Sequence, residues 1–473
     1  MTTTATPTDQ LRPIFDRLRA AHLAHIPSYG ERLASLERLE AAVRKYATAV
    51  VEACSADFGR RAPVETLGAD VVVSLDEISH ARKRLRRWMR PQKRRINWTF
   101  LPARGEVRYT PLGVVGIIAP WNYPFQLVIV PLASAIAAGN RVMIKPSEFT
   151  PKVQEVLSRL IAEVFSPDEV ALVQGEHELS AAFTRLPFDH ILFTGSTAVG
   201  RQVMAAAAAN LTPVTLELGG KCPALIAPDY PIDHAADRIA FGKCFNGGQT
   251  CVAPDYVLVP RAQRDAFVAA FMASLARRYP TLANNPDYTV TINARQATRL
   301  RDWLADAERL GVKTLSYQPA GETVPAGLEF LAPTVVLDPP PEAMLMREEI
   351  FGPVLVVCSY DDHDAALASV LLRDKPLAFY AFDRNADRAE KTLDRVCAGM
   401  ACVNDVIIQF GQSEFPIGGV GASGMGAYHG HTGFLTFSKA MPVMYQSRIN
   451  GMKLFDAPYS KFAHRVMHWL TRA

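Results

Sequence analysis

Between residues 106 and 220 the apolar positions follow two alternating patterns. Short runs of β-branched and aliphatic residues, "GVVGIIA" (113–119), "RVMIKP" (141–146), "EVALVQG" (169–175), "FDHILFTG" (188–195) and "TPVTLEL" (212–218), have the length of buried strands. Between them lie helix-like segments: "QLVIVPLASAIAAG" (126–139), a helix opened by Thr150 and Pro151 as cap and first helical residue, and the alanine-rich stretch 198–209. Strand and helix alternating at this spacing predict an α/β fold built on a parallel, doubly wound sheet.

A second alternation starts at "CPALIA" (222–227). It runs through helix-like 232–246, the strand "YVLVP" (256–260), helices 262–278 and 294–310, strands "PTVVL" and "GPVLVVCSY", and helix 384–396. Ahead of both units, residues 9–56 carry apolar positions three and four apart and predict two helices separated around Gly30. The glycine-rich stretch 415–433 is too punctuated for regular structure and predicts a loop or disorder.

Composition narrows the function classes. At 473 residues the chain has room for two or three domains, and 49% hydrophobic with 21% charged residues is ordinary for a soluble protein. The longest apolar stretch, Leu127 to Ala138, falls short of the ~20 residues that span a bilayer. "MTTTATPTDQ" lacks the basic start and apolar core of a signal peptide, so neither a membrane span nor export is expected. Seven cysteines without a CxxC pair give no disulfide framework or zinc knuckle, which points to a reducing cytoplasm. The net charge of +4 is local: "RKRLRRWMRPQKRR" (82–95) holds nine basic residues and no acid, leaving −5 elsewhere. An anionic partner is one reading. A solvated helix end entering a linker at Pro91 is the reading adopted, with no nucleic acid partner, because one patch without a binding motif does not make an interface.

Candidate chemistry gathers around "FNGGQTCVAP" (245–254). Cys251 follows Asn246, Gly247 and Gly248, a setting for a thiol that a reagent reaches, which needs close backbone approach and a lowered pKa. "LELGGK" (216–221) places Glu217 at a strand end, where an apolar site would raise its pKa toward that of a general base; a solvated strand-end glutamate is the competing reading. "APWNYPF" (119–125) holds Asn122 between two prolines, a rigid amide suited to an oxyanion or simply a turn residue. "VMIKPSE" (142–148) brings Lys145 and Glu148 to a sheet's carboxyl edge, either as ribose ligands or as a surface lysine and a helix-start acid. "FTGSTAVG" (193–200) is a strand–turn–helix with Gly195 and Gly200 but without the middle glycine of the dinucleotide fingerprint. His464 and His468 have neither an HExxH pattern nor a carboxylate partner, His429 and His431 sit in the glycine-rich stretch as solvated or locally hydrogen-bonded histidines, and no metal is expected.

In this order, "PWNYP", "KPSE", "FTGST", "LELGGK", "GQTC" and "EEIFGPV" (348–354) resemble the aldehyde dehydrogenase superfamily across residues 110–440. The ending "GGVGASGMGAYHGHTGF…FSK" is similar to its class 3 branch, and "NGGQTCVAPDYVLVP" with "RWMRPQKRR" resembles the coniferyl aldehyde dehydrogenases within it. The resemblance implies Cys251 as nucleophile, Glu217 as the base that activates water, and Asn122 with the Cys251 N–H as oxyanion donors. It implies Lys145 and Glu148 on the adenosine ribose, Gly195, Ser196 and Gly200 as the pyrophosphate turn, Glu349 and Phe351 on the nicotinamide ribose and ring, and Trp121 lining the same cleft. It further implies NAD or NADP as cofactor with NAD favoured, an aromatic or aliphatic aldehyde as substrate, and a homodimer. The domains expected are a Rossmann-like cofactor domain (1–215, with 92–110 in a bridging arm), an α/β catalytic domain (216–402), and a return at 403–473 that includes a small β oligomerisation arm. "FPIGG" at 415–419 departs from the branch's usual Leu-Pro-Phe run in a loop that borders the substrate entrance in relatives.

Overall fold

The chain begins with two helices, Leu11–Ala24 and Tyr29–Phe58, in a computed structural model that describes residues 5–319, 322 and 329–471. Residues 1–4 and 472–473, on which part of the reading of the termini rests, lie outside them. The helices part at His25–Ser28 rather than at Gly30. Ser28 accepts from the Glu31 N–H and the Glu31 carboxylate accepts from the Ser28 N–H, a reciprocal cap that starts the second helix and leaves Gly30 inside its first turn. The basic segment closes the helix Val73–Trp88, where Arg86 and Arg87 oppose the helix dipole, and Arg82 and Arg84 pair with Glu40 and Glu414.

Strands β1 (Gln92–Arg94) and β2 (Arg104–Pro111) come next. Then β3 (Val114–Ile118), β4 (Arg141–Lys145), β5 (Val170–Leu172), β6 (His190–Gly195) and β7 (Val214–Leu218) alternate with helices, as the periodicity predicts. They form a parallel sheet in the order β7-β6-β3-β4-β5, with the two-residue strand β15 (Gly424–Met425) antiparallel on β7. One face packs on the helices Tyr29–Phe58, Gln126–Ala138 and Pro151–Val164, and the other on a cluster that includes Phe15, Phe183 and Phe193. The second sheet joins β8 (Pro223–Ile226), β9 (Tyr256–Pro260), β10 (Thr314–Ser316), β11 (Thr334–Leu337), β12 (Val354–Tyr360), β13 (Ala378–Phe382) and β14 (Met400–Val403) in the order β10-β11-β12-β9-β8-β13-β14. It is parallel except for β10 and also carries apolar clusters on both faces. A third sheet pairs β16 (Ser438–Tyr445) along β2, with β1 on the other side.

The helix Pro151–Val164 begins at Pro151 as expected, but Thr150 does not cap it. The Thr150 hydroxyl donates to the Ser147 carbonyl, and Asp57, from the end of the long helix, accepts from the Lys152 and Val153 N–H groups at 2.9 Å each. The glycine-rich stretch is ordered: Ile417 bridges to Tyr428, β15 pairs with β7, and Gly430–Thr436 is helical. Gly424 is required there, since at φ +144° a Cβ would lie 2.1 Å from the Leu216 carbonyl. His429 in this stretch is buried against Glu77, with Nδ1 3.2 Å from its carboxylate. The periodicity missed the helices His177–Thr184 and His363–Leu371, both short and flanked by loops. No helix among the described residues is long and apolar enough to cross a membrane.

Candidate active site

In the parallel sheet the chain runs from β3 through β4 to β5 on one side, then returns to lay β6 and β7 on the other. The crevice at the carboxyl ends of β3 and β6 is therefore the topological switch point, where open α/β sheets bind ligands. Asn122 follows β3, Lys145 ends β4, Gly195 ends β6 and Glu217 lies near the end of β7.

Cys251 reaches the same crevice from the second unit. Ahead of it, Asn246, Gly247 and Gly248 all have positive φ (54°, 60° and 73°). A Cβ at Gly247 would lie 2.7 Å from the Thr289 carbonyl and one at Gly248 would lie 2.3 Å from that of Gly352, so both sites admit only glycine without a backbone shift. Side-chain amides lock this loop to the first unit. Asn122 Nδ2 donates to the Gln249 carbonyl at 3.2 Å, Asn246 Nδ2 donates to the Asn122 carbonyl at 3.0 Å, and the Tyr123 and Thr250 hydroxyls share a bond of 2.5 Å. An amide carries two N–H groups, so Asn122 keeps one to offer a developing oxyanion.

The Cys251 thiol is half-buried, and its own N–H and that of Val252 favour the thiolate. Burial outweighs them, and with Glu349 and Glu217 nearby the thiol is pushed up to about 12. The expected lowering is absent because burial dominates and the charged groups that act on the thiol are carboxyls. Glu217 is 5% exposed, its Oε1 has no hydrogen-bond partner among the described residues, and burial raises its pKa well above the usual carboxylate range. Burial and Asp255 lift Glu349 to about 8, against a bond from the Gly220 N–H. A Cβ at Gly219 would lie 2.0 Å from the Glu349 carboxylate, so the first glycine of "LELGGK" makes room for it. The free enzyme thus holds its thiol protonated at neutral pH. Alkylation of Cys251 by iodoacetamide is expected to accelerate steadily as pH rises above neutrality, checked by peptide mass mapping; a rate independent of pH would contradict this environment.

Phe351 has a positive φ of 51° and its ring meets Trp121 edge-on at 5.3 Å. Lys145, 2% exposed, holds the Glu148 carboxylate at 2.5 Å; burial disfavours the Glu148 charge, but the lysine outweighs it and the pKa falls. Ser196 caps the helix Thr197–Ala208 through the Val199 N–H, and a Cβ at Gly200 would lie 2.6 Å from Leu218, so this glycine sets the helix against the sheet.

The candidate catalytic and cofactor residues lie at these two loops, at the carboxyl edge of the sheet and in the helix that follows β6, except Glu349 and Phe351, which approach from the segment ahead of β12. A cavity of about 280 Å³ opens on Cys251, walled by Phe241, Phe245, Ile407, Ile408 and Phe410, with Gly68 and Ala69 on another side. Its lining includes Ile407, Ile408, Phe410 and Gly411 and no residue of the 415–419 loop, and of Trp121, Tyr123 and Phe125 on either side of Asn122 only Tyr123 lines it, Phe125 being fully buried in the core. Sequence reasoning missed Gly68 and Ala69, whose one signal is an isolated glycine inside a helical pattern.

Residues 19–443 match the aldehyde dehydrogenase family. The chain belongs to that family. It is 46% identical to a probable coniferyl aldehyde dehydrogenase of Pseudomonas aeruginosa, over 98% of this chain and 96% of that protein. It is 43% identical to the coniferyl aldehyde dehydrogenase of a Pseudomonas species, over 97% and 96%. Its fold superposes on the substrate-bound state of Staphylococcus aureus AldH with a TM-score of 0.91 at 33% identity, covering 98% of this chain and 99% of that one. The protein is an NAD(P)-dependent aldehyde dehydrogenase. Its crevice fits the dinucleotide: a helix N-terminus after Gly195, a buried lysine–glutamate pair for hydroxyls, and a buried Thr194 hydroxyl with no partner among the described residues.

Proposed function

We propose that this aldehyde dehydrogenase oxidises an aromatic aldehyde of the coniferaldehyde type to its acid, with Cys251 as nucleophile, Asn122 as oxyanion donor and Glu217 as base. The observation that carries this reading is Cys251 on the wall of an apolar, aromatic-lined cavity, with the Asn122 amide bonded to the Gln249 carbonyl two residues ahead of it and the Glu217 carboxyl close enough to raise its thiol. The names of the Pseudomonas relatives support the substrate class. The Cys251 thiol gives its proton to solvent water and its sulfur adds to the carbonyl carbon, and the resulting oxyanion takes hydrogen bonds from the Asn122 amide and the Cys251 N–H. Lys145 and Glu148 would hold the adenosine ribose, Gly195, Ser196 and Gly200 would form the pyrophosphate turn, and Glu349, Phe351 and Trp121 would border the nicotinamide. A bound nicotinamide would supply the hydride acceptor for the former carbonyl carbon, and Cys251 would then carry the acyl group as a thioester. Glu217 takes a proton from water, whose oxygen adds to the thioester, and collapse releases the acid and the thiolate. NAD is favoured because the Glu148 carboxylate would repel a 2′-phosphate. The enzyme works in the cytoplasm, in keeping with seven free cysteines. It works as a homodimer joined through the sheet β1-β2-β16, where Met441, Met444 and Tyr445 are exposed. The cofactor unit comprises 1–215 with the return at 403–473, and the catalytic unit 216–402.

Initial rates with coniferaldehyde and a straight-chain aldehyde series, each with NAD and NADP, test the assignment. The highest kcat/KM should fall to coniferaldehyde with NAD, and a faster aliphatic series would sink the aromatic reading while leaving the enzyme class intact. Gly68 offers a sharper probe, since a Cβ there meets nothing within 4 Å and its backbone suits an L side chain. Gly68→Leu should lower kcat/KM for coniferaldehyde by about 10- to 100-fold while sparing propanal. Equal losses for both would mean the ring does not sit in this cavity.

A further inference from the structure

Beneath the two loops lies a buried charged pair that the mechanism above does not use. Arg61 and Asp70 have fully buried side chains 2.9 Å apart. Such a pair is costly to desolvate, and an apolar pair of similar volume would serve stability as well, so its value lies in what it holds in place. A short helix, Pro63–Thr66, runs into a π-helical turn, Leu67–Val72, a form that is rare and clusters at functional sites. The turn carries Gly68 and Ala69 on the cavity wall while Asp70 is fully buried in the interior. Asp70 Oδ1 accepts from the N–H groups of Phe125 at 3.2 Å and Gln126 at 3.0 Å, capping the helix Gln126–Ala138, whose own N-cap residue supplies no side-chain acceptor. The Arg61 guanidinium sits 5.0 Å from the Phe58 ring and 5.1 Å from that of Tyr123, and the Tyr123 hydroxyl is bonded to Thr250, next to Cys251. The residues following Asn122 are thus fixed from below by a single pair.

We propose that Asp70, held by Arg61, is a positioning residue for the acylation step, setting the Asn122 amide over the Cys251 carbonyl adduct. This rests on the reading of Asn122 as oxyanion donor. The test is a double-variant cycle of Asp70→Ala and Asn122→Ala, with kcat expressed per titrated Cys251 thiol and nucleotide Kd measured in parallel. Asp70→Ala should lower kcat by up to about 100-fold, the scale of an ångström of misplacement, with the nucleotide Kd unchanged. In the Asn122→Ala background the same change should have little further effect, because the group it positions is gone. Equal fold-losses in both backgrounds, or an unchanged kcat for Asp70→Ala, would overturn the proposal. Full activity of Asn122→Ala alone would overturn the site reading instead. If Asp70→Ala does not fold, Arg61→Met/Asp70→Ala, which strands no buried charge, carries the same comparison.

Discussion

Cys251→Ala is expected to show no aldehyde-dependent nicotinamide reduction, with its Tm and nucleotide Kd those of the parent. The sulfur is the one atom that makes the covalent adduct, and hydride leaves only from that adduct. Nothing else in the crevice replaces it: Cys222 and Cys244 are fully buried and burial raises both thiols. Removal of one sulfur from a half-buried site beside an existing cavity costs little packing. The loop that carries it is held by Asn122, Asn246, Gln249 and Thr250, none of which bonds to the sulfur. Reduction measured by absorbance, calorimetry for nucleotide binding and a thermal scan check the three parts separately. Near-parental turnover would end the cysteine mechanism. Lost nucleotide binding would show that Cys251 supports the crevice itself.

Much of this site is legible in the sequence because its chemistry needs particular local patterns. Two glycines after Asn246 announce a left-handed backbone, and the structure uses both for close approach to Thr289 and Gly352. Glu217 at a strand end before two glycines is legible for the same reason, since Gly219 makes room for Glu349. The first parallel sheet follows from alternating runs whose period the sequence records directly, whereas β10, β13 and β14 of the second sheet do not stand out in it. What sequence does not record is who partners whom at a distance. Asp70 reads as one more acid in a helical pattern, yet its partners are backbone groups of Phe125 and Gln126 and the guanidinium of Arg61. Asp57 takes over the cap expected of Thr150 in the same way. The thiol's environment escaped for an electrostatic reason: its neighbouring carboxyls come from residues 34 positions upstream and 98 downstream, and only the fold brings both to one sulfur.

Glu217→Gln is expected to separate the two halves of the reaction. The variant should release one burst of reduced nicotinamide per titrated Cys251 and then turn over about 10²- to 10⁴-fold more slowly, the usual contribution of a positioned base. Glutamine keeps the shape of the side chain at the end of β7, so the strand pairing with β6 and β15 is preserved. It cannot take a proton from water, so the thioester should accumulate. The sign of the pH effect follows from burial, which holds the Glu217 carboxyl well above its ordinary range. A base must be ionised to act, so the parent's deacylation rate rises as pH climbs through that raised value, and the variant's residual rate should lose this rise. Rapid-mixing absorbance across a pH series reads both the burst and the slope. A variant with no burst would mean that Glu217 acts earlier, by drawing the proton from the raised Cys251 thiol. A variant with parental steady-state rate would mean that water is activated elsewhere, and Glu349, lifted to about 8 beside the same sulfur, would then be the carboxyl to replace next.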